Sequence, residues 1–337
     1  MRAAAQLLAC ALAAASASRD VARQPPVTAM ILDSNGDELL VQTLEHFVLM
    51  LPRDVPVVWA TDHQLTNAEH DAISASKLLV HALGVRKLHI RTLPYNLTLA
   101  AYNMRLRQPR FWADLPQDGR VLLFERDAVL CPGASSRLRN FTRYDYIGAP
   151  WRPTAPWCSS RRLSAEACCC NSGLSLSSPP EMARLLRVAA ELSRHRSRLS
   201  NPRNIDMTVL HYASKVSGFK IAGASSAQRF AVETLWDGVA PPVGLHKPWS
   251  GWGSKPWSST KLELRNLLRV CPTMLRLCPY ARAASSNPDP SRGPPARRFV
   301  HSFCDVDDNT ATPRSAPLVE VPLSKLTPLG YAPLGGG

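Results

Sequence analysis

The stretch Val121-Leu122-Leu123-Phe124-Glu125-Arg126-Asp127 is an apolar run that stops at an acid-x-acid triplet. A short apolar run bounded in this way reads as a buried strand. Side chains two apart on extended chain share a face, so the triplet presents two carboxylates together. That arrangement suits a hard divalent ion, Mg2+ or Mn2+, which takes oxygen ligands and neutralises the charge of a departing phosphate. Arg126 supports a plainer reading as well, in which it neutralises the acids and one of them serves as a cap or salt-bridge partner.

The residues before this stretch alternate β-rich runs with helical patterns. Val27 to Leu32 reads as a buried strand ending at Asp33, and Gly36 to Leu51 as a helix with Leu39, Leu40, Leu44, Phe47, Val48 and Leu51 near helical spacing. Val55 to Ala60 is a second strand, Asn67 to Leu83 a second helix, Lys87 to Leu93 a third strand and Leu97 to Trp112 a third helix. Alternation of this kind argues for an α/β fold with a mostly parallel sheet and helices on its faces. Ligands of such sheets sit beyond the carboxyl ends of the strands, which directs attention to the residues after Phe124.

Downstream, Tyr144 to Trp151 and Cys170 to Ser177 contain Gly148, Pro150 and Gly173, which suit tight turns where backbone approaches a ligand. Trp151 offers an apolar face for a sugar or base; a core loop with a buried aromatic is the equal alternative. Pro179 to Leu199 and Asp206 to Lys215 read as helices, and the arginines between Arg184 and Arg203 as a solvated face. The Lys-Pro-Trp-Ser segments at Lys247 and Lys255 are too short to make a repeat architecture. From Ala281 the chain turns rich in Ser, Pro, Ala and Arg, the composition of a flexible tail, with one candidate strand at Leu318 to Val321.

The chain has 337 residues, 45% of them apolar and 20% charged, which excludes a wholly disordered protein; 17 glycines exclude a collagen-like one. Its 40 basic and 26 acidic residues, a formal charge of +14, favour anionic partners without choosing among nucleic acid, acidic lipid and nucleotide diphosphate. Met1 and Arg2, the apolar segment Ala3 to Ala15 and the small residues Ala15-Ser16-Ala17 have the parts of a secretory signal. The apolar segment is shorter than the ~20 residues of a spanning helix. Cleavage near Ala17 is the expectation, with an uncleaved signal-anchor or a cytosolic Ala-rich start as alternatives. The sequons at Asn96 and Asn140 fit a lumenal chain. Of the nine cysteines, Cys10 lies in this leader. The even remainder, Cys131, Cys158, Cys168, Cys169, Cys170, Cys271, Cys278 and Cys304, suggests disulfides ahead of a metal site, because three adjacent thiols lack zinc-ligand spacing.

Several of these segments, in order, resemble a domain-of-unknown-function family of GT-A-like glycosyltransferases. The resemblance runs from about Val27 to Trp249 and is carried by Phe111-Trp112, Leu122 to Cys131, Tyr144-Asp145-Tyr146-Ile147-Gly148-Ala149-Pro150-Trp151, Asn171 to Ser177 and Gly244-Leu245-His246-Lys247-Pro248-Trp249. It implies a Rossmann-like mixed sheet flanked by helices that binds a nucleotide sugar. Asp127 falls on the family's motif Asp and His246 on its late His, so the resemblance makes them the Mn2+ or Mg2+ ligands. Glu125 stands where the family often has Gln and is expected among the donor- or acceptor-binding residues. Asn171, Ser172 and Gly173 match an Asn-Gly-Gly turn implied to line donor or acceptor, together with Trp151 and Trp249; Ser172 and Ser177 depart from the pattern. The family's Glu-Asp pair is Ile205-Asp206 here, which makes Asp206 the candidate catalytic base and Asp145 the reserve.

The expectation is a signal peptide at residues 1–17, a transferase-like domain at 27–280 and a Pro-rich tail at 281–337. The expected activity moves a sugar from a nucleotide-diphosphate donor to a hydroxyl of a glycan, protein or lipid acceptor in the ER or Golgi lumen or outside the cell. The competing reading is a secreted carbohydrate-binding protein on a degenerate transferase scaffold. A nucleic-acid binder ranks third, for want of any recognised motif.

Overall fold

The structure, a computed structural model, describes residues 25–94, 97–159, 163–194, 204–248, 261–279, 281–282 and 304. Strand β1 (Val27–Leu32) is buried except at Thr28, as expected of a strand covered on both faces. Helix α1 (Glu38–Met50) starts where the Asp37 carboxylate accepts the Leu40 N–H, and it buries Leu40, Leu44, Phe47 and Val48 along one stripe. Strand β2 (Val57–Thr61) follows, then α2 (Asn67–Ala75) and α3 (Lys77–Gly84). The single helix expected at Asn67 to Leu83 is two, because Ser76 leaves helical geometry and its hydroxyl caps the second.

Strand β3 (Leu88–Thr92) leads to α4 (Leu99–Leu106) and α5 (Pro109–Ala113), again two helices where one was expected. Pro109 has no N–H to continue α4, and it opens α5 instead. Strand β4 (Arg120–Phe124) is fully buried after its first residue, and β5 (Ala128–Leu130) follows a tight turn. Beyond α6 (Ala134–Leu138) come β6 (Tyr146–Ala149), the short α7 (Pro156–Ser159) and β7 (Asn171–Ser177). The segments read as glycine-dependent turns are therefore largely strands. The remaining elements are α8 (Pro179–Ser193), α9 (Ile205–Tyr212), α10 (Ala224–Phe230), β8 (Ala231–Val232), β9 (Gly244–His246) and α11 (Lys261–Val270).

The central sheet has the order β3-β2-β1-β4-β7-β6. Strands β3, β2, β1 and β4 are parallel, while β7 runs antiparallel to both β4 and β6. This is the mixed α/β sheet flanked by helices that the resemblance implies, with the parallel strands that the residue pattern predicts at one side. A second sheet, β5-β9-β8, stands beside it, with β9 antiparallel to β5. Phe47 of α1 stacks on Phe124 at 3.7 Å between ring centroids, which anchors the end of β4 to its covering helix. The small sheet has its own apolar cluster, in which Val129, Val232 and Leu245 meet Leu264 and Leu267 of α11.

All eight downstream cysteines are paired: Cys131 with Cys271, Cys158 with Cys168, Cys169 with Cys170 and Cys278 with Cys304. The Cys168 to Cys170 run is thereby spent on disulfides, and no thiolate of it is free for metal. Among the described residues no helix is long and apolar enough to cross a membrane. The leader, the Asn96 sequon, Trp249, the second Lys-Pro-Trp-Ser segment and the strand proposed at Leu318 to Val321 lie outside the described residues.

Candidate functional site

The chain leaves β4 at Phe124 and turns at once. The Glu125 N–H donates to the Gly173 carbonyl at 2.8 Å, and the Ala128 N–H returns to the Glu125 carbonyl at 3.0 Å. Glu125 to Asp127 is thus a turn rather than extended chain, and both carboxylates converge for a reason other than strand alternation. Strand β9 pairs with β5 so that His246 lies opposite Ala128, and the Lys247 N–H donates to the Asp127 carbonyl at 3.2 Å. That register delivers a histidine distant in sequence to the acidic turn.

The side chains then meet. His246 Nε2 lies 3.2 Å from Glu125 Oε2 and 3.3 Å from Asp127 Oδ1. Lys247 Nζ lies 2.8 Å from Glu125 Oε2 and 3.1 Å from Asp127 Oδ2. Glu125, Asp127 and His246 offer one ligand atom each within 4.8 Å of one another. Burial penalises the charged form of Glu125, but the Lys247 ammonium and the His246 imidazole outweigh it and hold this carboxyl far below its usual range. Asp127 is lowered for the same reasons. Burial and the Lys247 charge pull His246 down, yet its contacts with Asp127 and Glu125 prevail and raise it to about 9.

Arg126 takes no part in neutralising these acids. Its guanidinium turns the other way, donating to both oxygens of Asp33 at 2.8 Å each, to Asp37 Oδ2 at 2.8 Å and to the Asn35 carbonyl at 2.7 Å. This corrects the plainer reading of the triplet in its partner, since the acids do form salt bridges but with Lys247: Arg126 fastens the acidic turn to the end of β1 and the start of α1, leaving Glu125 and Asp127 to face His246 and Lys247. Arg126→Ala is expected to lower folding stability by roughly 1–3 kcal/mol, between the values for exposed and buried pairs. Urea denaturation reads it, and an unchanged midpoint would remove the fastening role.

Gly173 makes the cluster possible. A Cβ built on it would stand 2.2 Å from His246 Cε1 and Nε2, inside the ring's contact surface. The Gly173 N–H donates to Asn171 Oδ1 at 2.7 Å, so the Asn171 side chain holds this bend. Gly148 has a comparable part, since a Cβ there would meet the Asn171 carbonyl at 2.0 Å. Gly173→Ala is expected to displace the imidazole, with an overpacking cost of about 1–3 kcal/mol. Urea denaturation checks it; a midpoint equal to wild type would show that the ring tolerates the methyl.

Asp206 begins α9 with 7% of its surface exposed, and its Oδ1 accepts the Met207 N–H at 2.8 Å. Burial raises its carboxyl to about 6, helped by the charges of Glu233 and Glu125. Tyr102 feels Glu125, Asp206 and Asp127 as well, its phenol pushed up first by burial. Asp206 and Tyr102 thus both feel the charge of the acidic cluster.

Other expected residues are placed differently. Asp145 accepts the Lys220 N–H on Oδ2 at 2.8 Å, next to the pairing of Tyr146 with Ser177 and of Val121 with Ser177. That is the amino end of β4, roughly 15 Å of strand rise from Glu125. Its carboxylate holds a loop and is not brought to the site. Trp151 is only 3% exposed and packs with Ala155, Cys158 and Cys168, so its ring is core and presents no stacking face to a sugar. Its indole N–H donates to Glu233 Oε2 at 3.1 Å. Ser172 is buried on β7 beside Gly173.

Two charged residues of the site escaped the reading of the sequence. Lys247 adjoins His246 and could have been singled out by that adjacency. Glu233 follows the two-residue β8 and has no local signature; only the packing of Trp151 and the charge it places near Asp206 reveal it.

Residues 87–246 match a family described as a protein of unknown function (DUF5672). The matched span starts beside β3 and closes on His246. It contains Glu125, Asp127, the Asn171 to Gly173 bend, Asp206 and Glu233, and it leaves out β1, β2 and Lys247. No curated protein sequence matches the chain. Among solved structures, the mannosyltransferase PcManGT from Pyrobaculum calidifontis, in complex with GDP-Man and Mn2+, is 15% identical, with 83% of this chain and 69% of that one covered at a TM-score of 0.38. The galactosyltransferase LgtC, in complex with donor and acceptor sugar analogues, is 10% identical, with 72% and 96% covered at 0.43. The apo glycosyltransferase GlyE of Streptococcus pneumoniae TIGR4 is 9% identical, with 76% and 63% covered at 0.40.

Proposed function

We propose that this chain is a glycosyltransferase that moves a sugar from a nucleoside-diphosphate donor to a hydroxyl acceptor, with a divalent ion held by Asp127, Glu125 and His246. The observation that carries this reading is the meeting of two carboxylates and one imidazole just beyond the carboxyl end of β4, where parallel sheets place their ligands. The residues fit such an ion. Two carboxylate oxygens and an imidazole nitrogen are donors for Mn2+ or Mg2+, and Asp127 Oδ1 is buried without a hydrogen-bond partner. An ion bound there supplies electrophilic stabilisation of the departing diphosphate.

The chain's own residues supply the rest. As a ligand of such an ion His246 would have to be neutral imidazole, and the proton it shares with the two carboxylates would be released on binding. Gly173 and the Asn171 side chain fix the space in which that ring can stand. Asp206, raised by burial, is deprotonated above about pH 6 and takes the proton of the acceptor hydroxyl as the new glycosidic bond forms. That step presupposes an inverting transfer.

The domain at 27–280 is proposed as the transferase unit, residues 1–17 as a cleaved signal and residues 281–337 as an appended tail. Four disulfides fit an oxidising compartment, and Asn140 of the second sequon is exposed. These features support a lumenal or secreted protein. The decisive experiment is a panel of nucleotide sugars on the full chain, scored for donor hydrolysis and transfer with Mn2+ and with chelator. Metal-dependent turnover of one donor supports the proposal. Saturable glycan binding with no turnover and no effect of metal would replace it with the carbohydrate-binding alternative, which Ile205 in place of an acid favours.

A further inference from the structure

Residues 246 and 247 leave β9 in succession, and neighbours on extended chain point to opposite faces. Here they do not. Lys247 has φ of 42°, in the left-handed region that non-glycine residues rarely enter, and this bend brings its side chain back to the carboxylates that His246 already touches. The ammonium bridges the pair at 2.8 Å from Glu125 and 3.1 Å from Asp127, and Glu125 Oε2 is shared between ammonium and imidazole. A backbone held in a sparsely populated conformation beside a functional cluster is a recurrent mark of a working part.

We propose that Lys247 is a tethered internal cation that occupies the carboxylate pair of the divalent-ion site and must be expelled for an ion to enter. The inference rests on the reading of Glu125, Asp127 and His246 as that site. An ion ligated by Glu125 and Asp127 competes with the ammonium for the same two carboxylates, and two cations so close repel in a partly buried setting. The ammonium keeps the carboxylates paired while the site is empty, and its expulsion subtracts from the affinity for the ion. The displaced charge then needs an anion, so a diphosphate and the ion favour each other's binding by linkage. The positive φ is the structural condition for this competition, because a regular strand end would aim Lys247 away.

Three measurements on the full chain test it, with Mn2+ as the probe. Free Mn2+ is read by electron paramagnetic resonance in wild type, Lys247→Met, Lys247→Gln and Lys247→Arg. The neutral variants are expected to bind Mn2+ at least about tenfold more tightly, and to melt lower without metal but regain the loss when Mn2+ is added; Lys247→Arg, which keeps the charge, gains no affinity. In wild type, saturating Mn2+ is expected to raise acetic anhydride labelling of Lys247, mapped by peptide mass spectrometry, which needs no variant to fold. Unchanged or weaker Mn2+ binding in both neutral variants, or unchanged labelling, overturns the displacement while an Asp127-dependent wild-type affinity leaves the ion site standing. Absence of Mn2+ binding in every form overturns both.

Discussion

Asp127→Asn is expected to lower metal-dependent turnover by more than about 100-fold and to remove measurable Mn2+ binding, since losing even an outer-shell partner of a metal site costs about 10–100-fold in affinity or activity. Asparagine keeps the shape of the side chain and removes its charge. In the wild type, Asp127 contributes one oxygen near His246 and the other near Lys247, and it is the more buried of the two acids, with 14% of its side chain exposed against 30% for Glu125. The backbone of residue 127 also carries the step from β4 to β5, which the substitution leaves intact. Initial rates with the donor found by screening, paired with Mn2+ titration, check the result. Turnover within threefold of wild type would take the ion off Asp127 and with it the assignment of the cluster.

Asp206→Asn is expected to move activity and stability in opposite directions. A positioned general base contributes typically about 10²–10⁴-fold, so turnover falls by that order. Folding behaves otherwise. The native carboxyl titrates at about 6, against an ordinary value of 3.8, so the native state binds more protons than the unfolded chain between those values. The sign follows from that difference: Asp206 costs no stability below about pH 3.8, costs progressively more as pH rises, and costs its full amount above about 6. Asparagine cannot ionise, and its amide oxygen can still accept the Met207 N–H. The variant is therefore expected to be more stable than wild type at pH 7.5, by at most about 3 kcal/mol, and no more stable near pH 3.5. Wild-type turnover should also fall on the acid side with a midpoint near 6. Retained activity in Asp206→Asn, or a profile without that limb, would remove the base role; a stability gain alone would mark a carboxylate that is merely buried.

The parallel half of the sheet was legible because its strands are short apolar runs separated by helices with clean stripes, as in Val27 to Leu32 followed by Leu40, Leu44 and Phe47. Helix breaks were less so. Ser76 and Pro109 divide elements whose apolar periodicity runs on across the break, and periodicity carries no mark of where a backbone N–H stops being used. Strands β6 and β7 were hidden by their own composition. Gly148 and Gly173 suggest turns, yet both sit in strands where another backbone or an imidazole comes too close for a Cβ.

The site divides along a similar line. Asp127 stood out as a carboxylate after a buried strand, and the resemblance of the surrounding motifs is what joined it to His246 as candidates for one ion. Their meeting could not be read from the chain, since it depends on β9 pairing with β5 across more than a hundred residues. Asp145 and Trp151 show the reverse error: both have the right chemistry, but one spends its carboxylate on the Lys220 backbone and the other its ring on the core.

Local chemistry in the chain was enough to establish an α/β sheet with an acidic triplet at the end of a buried strand, because apolar spacing and burial act over a few residues. The direction each charge faces was settled by the fold alone. Arg126 lies between the two acids in sequence and turns from both toward Asp33, whereas Lys247, 120 residues beyond Asp127, reaches back to them. Charge interactions follow distance through space, and only the folded chain sets that distance.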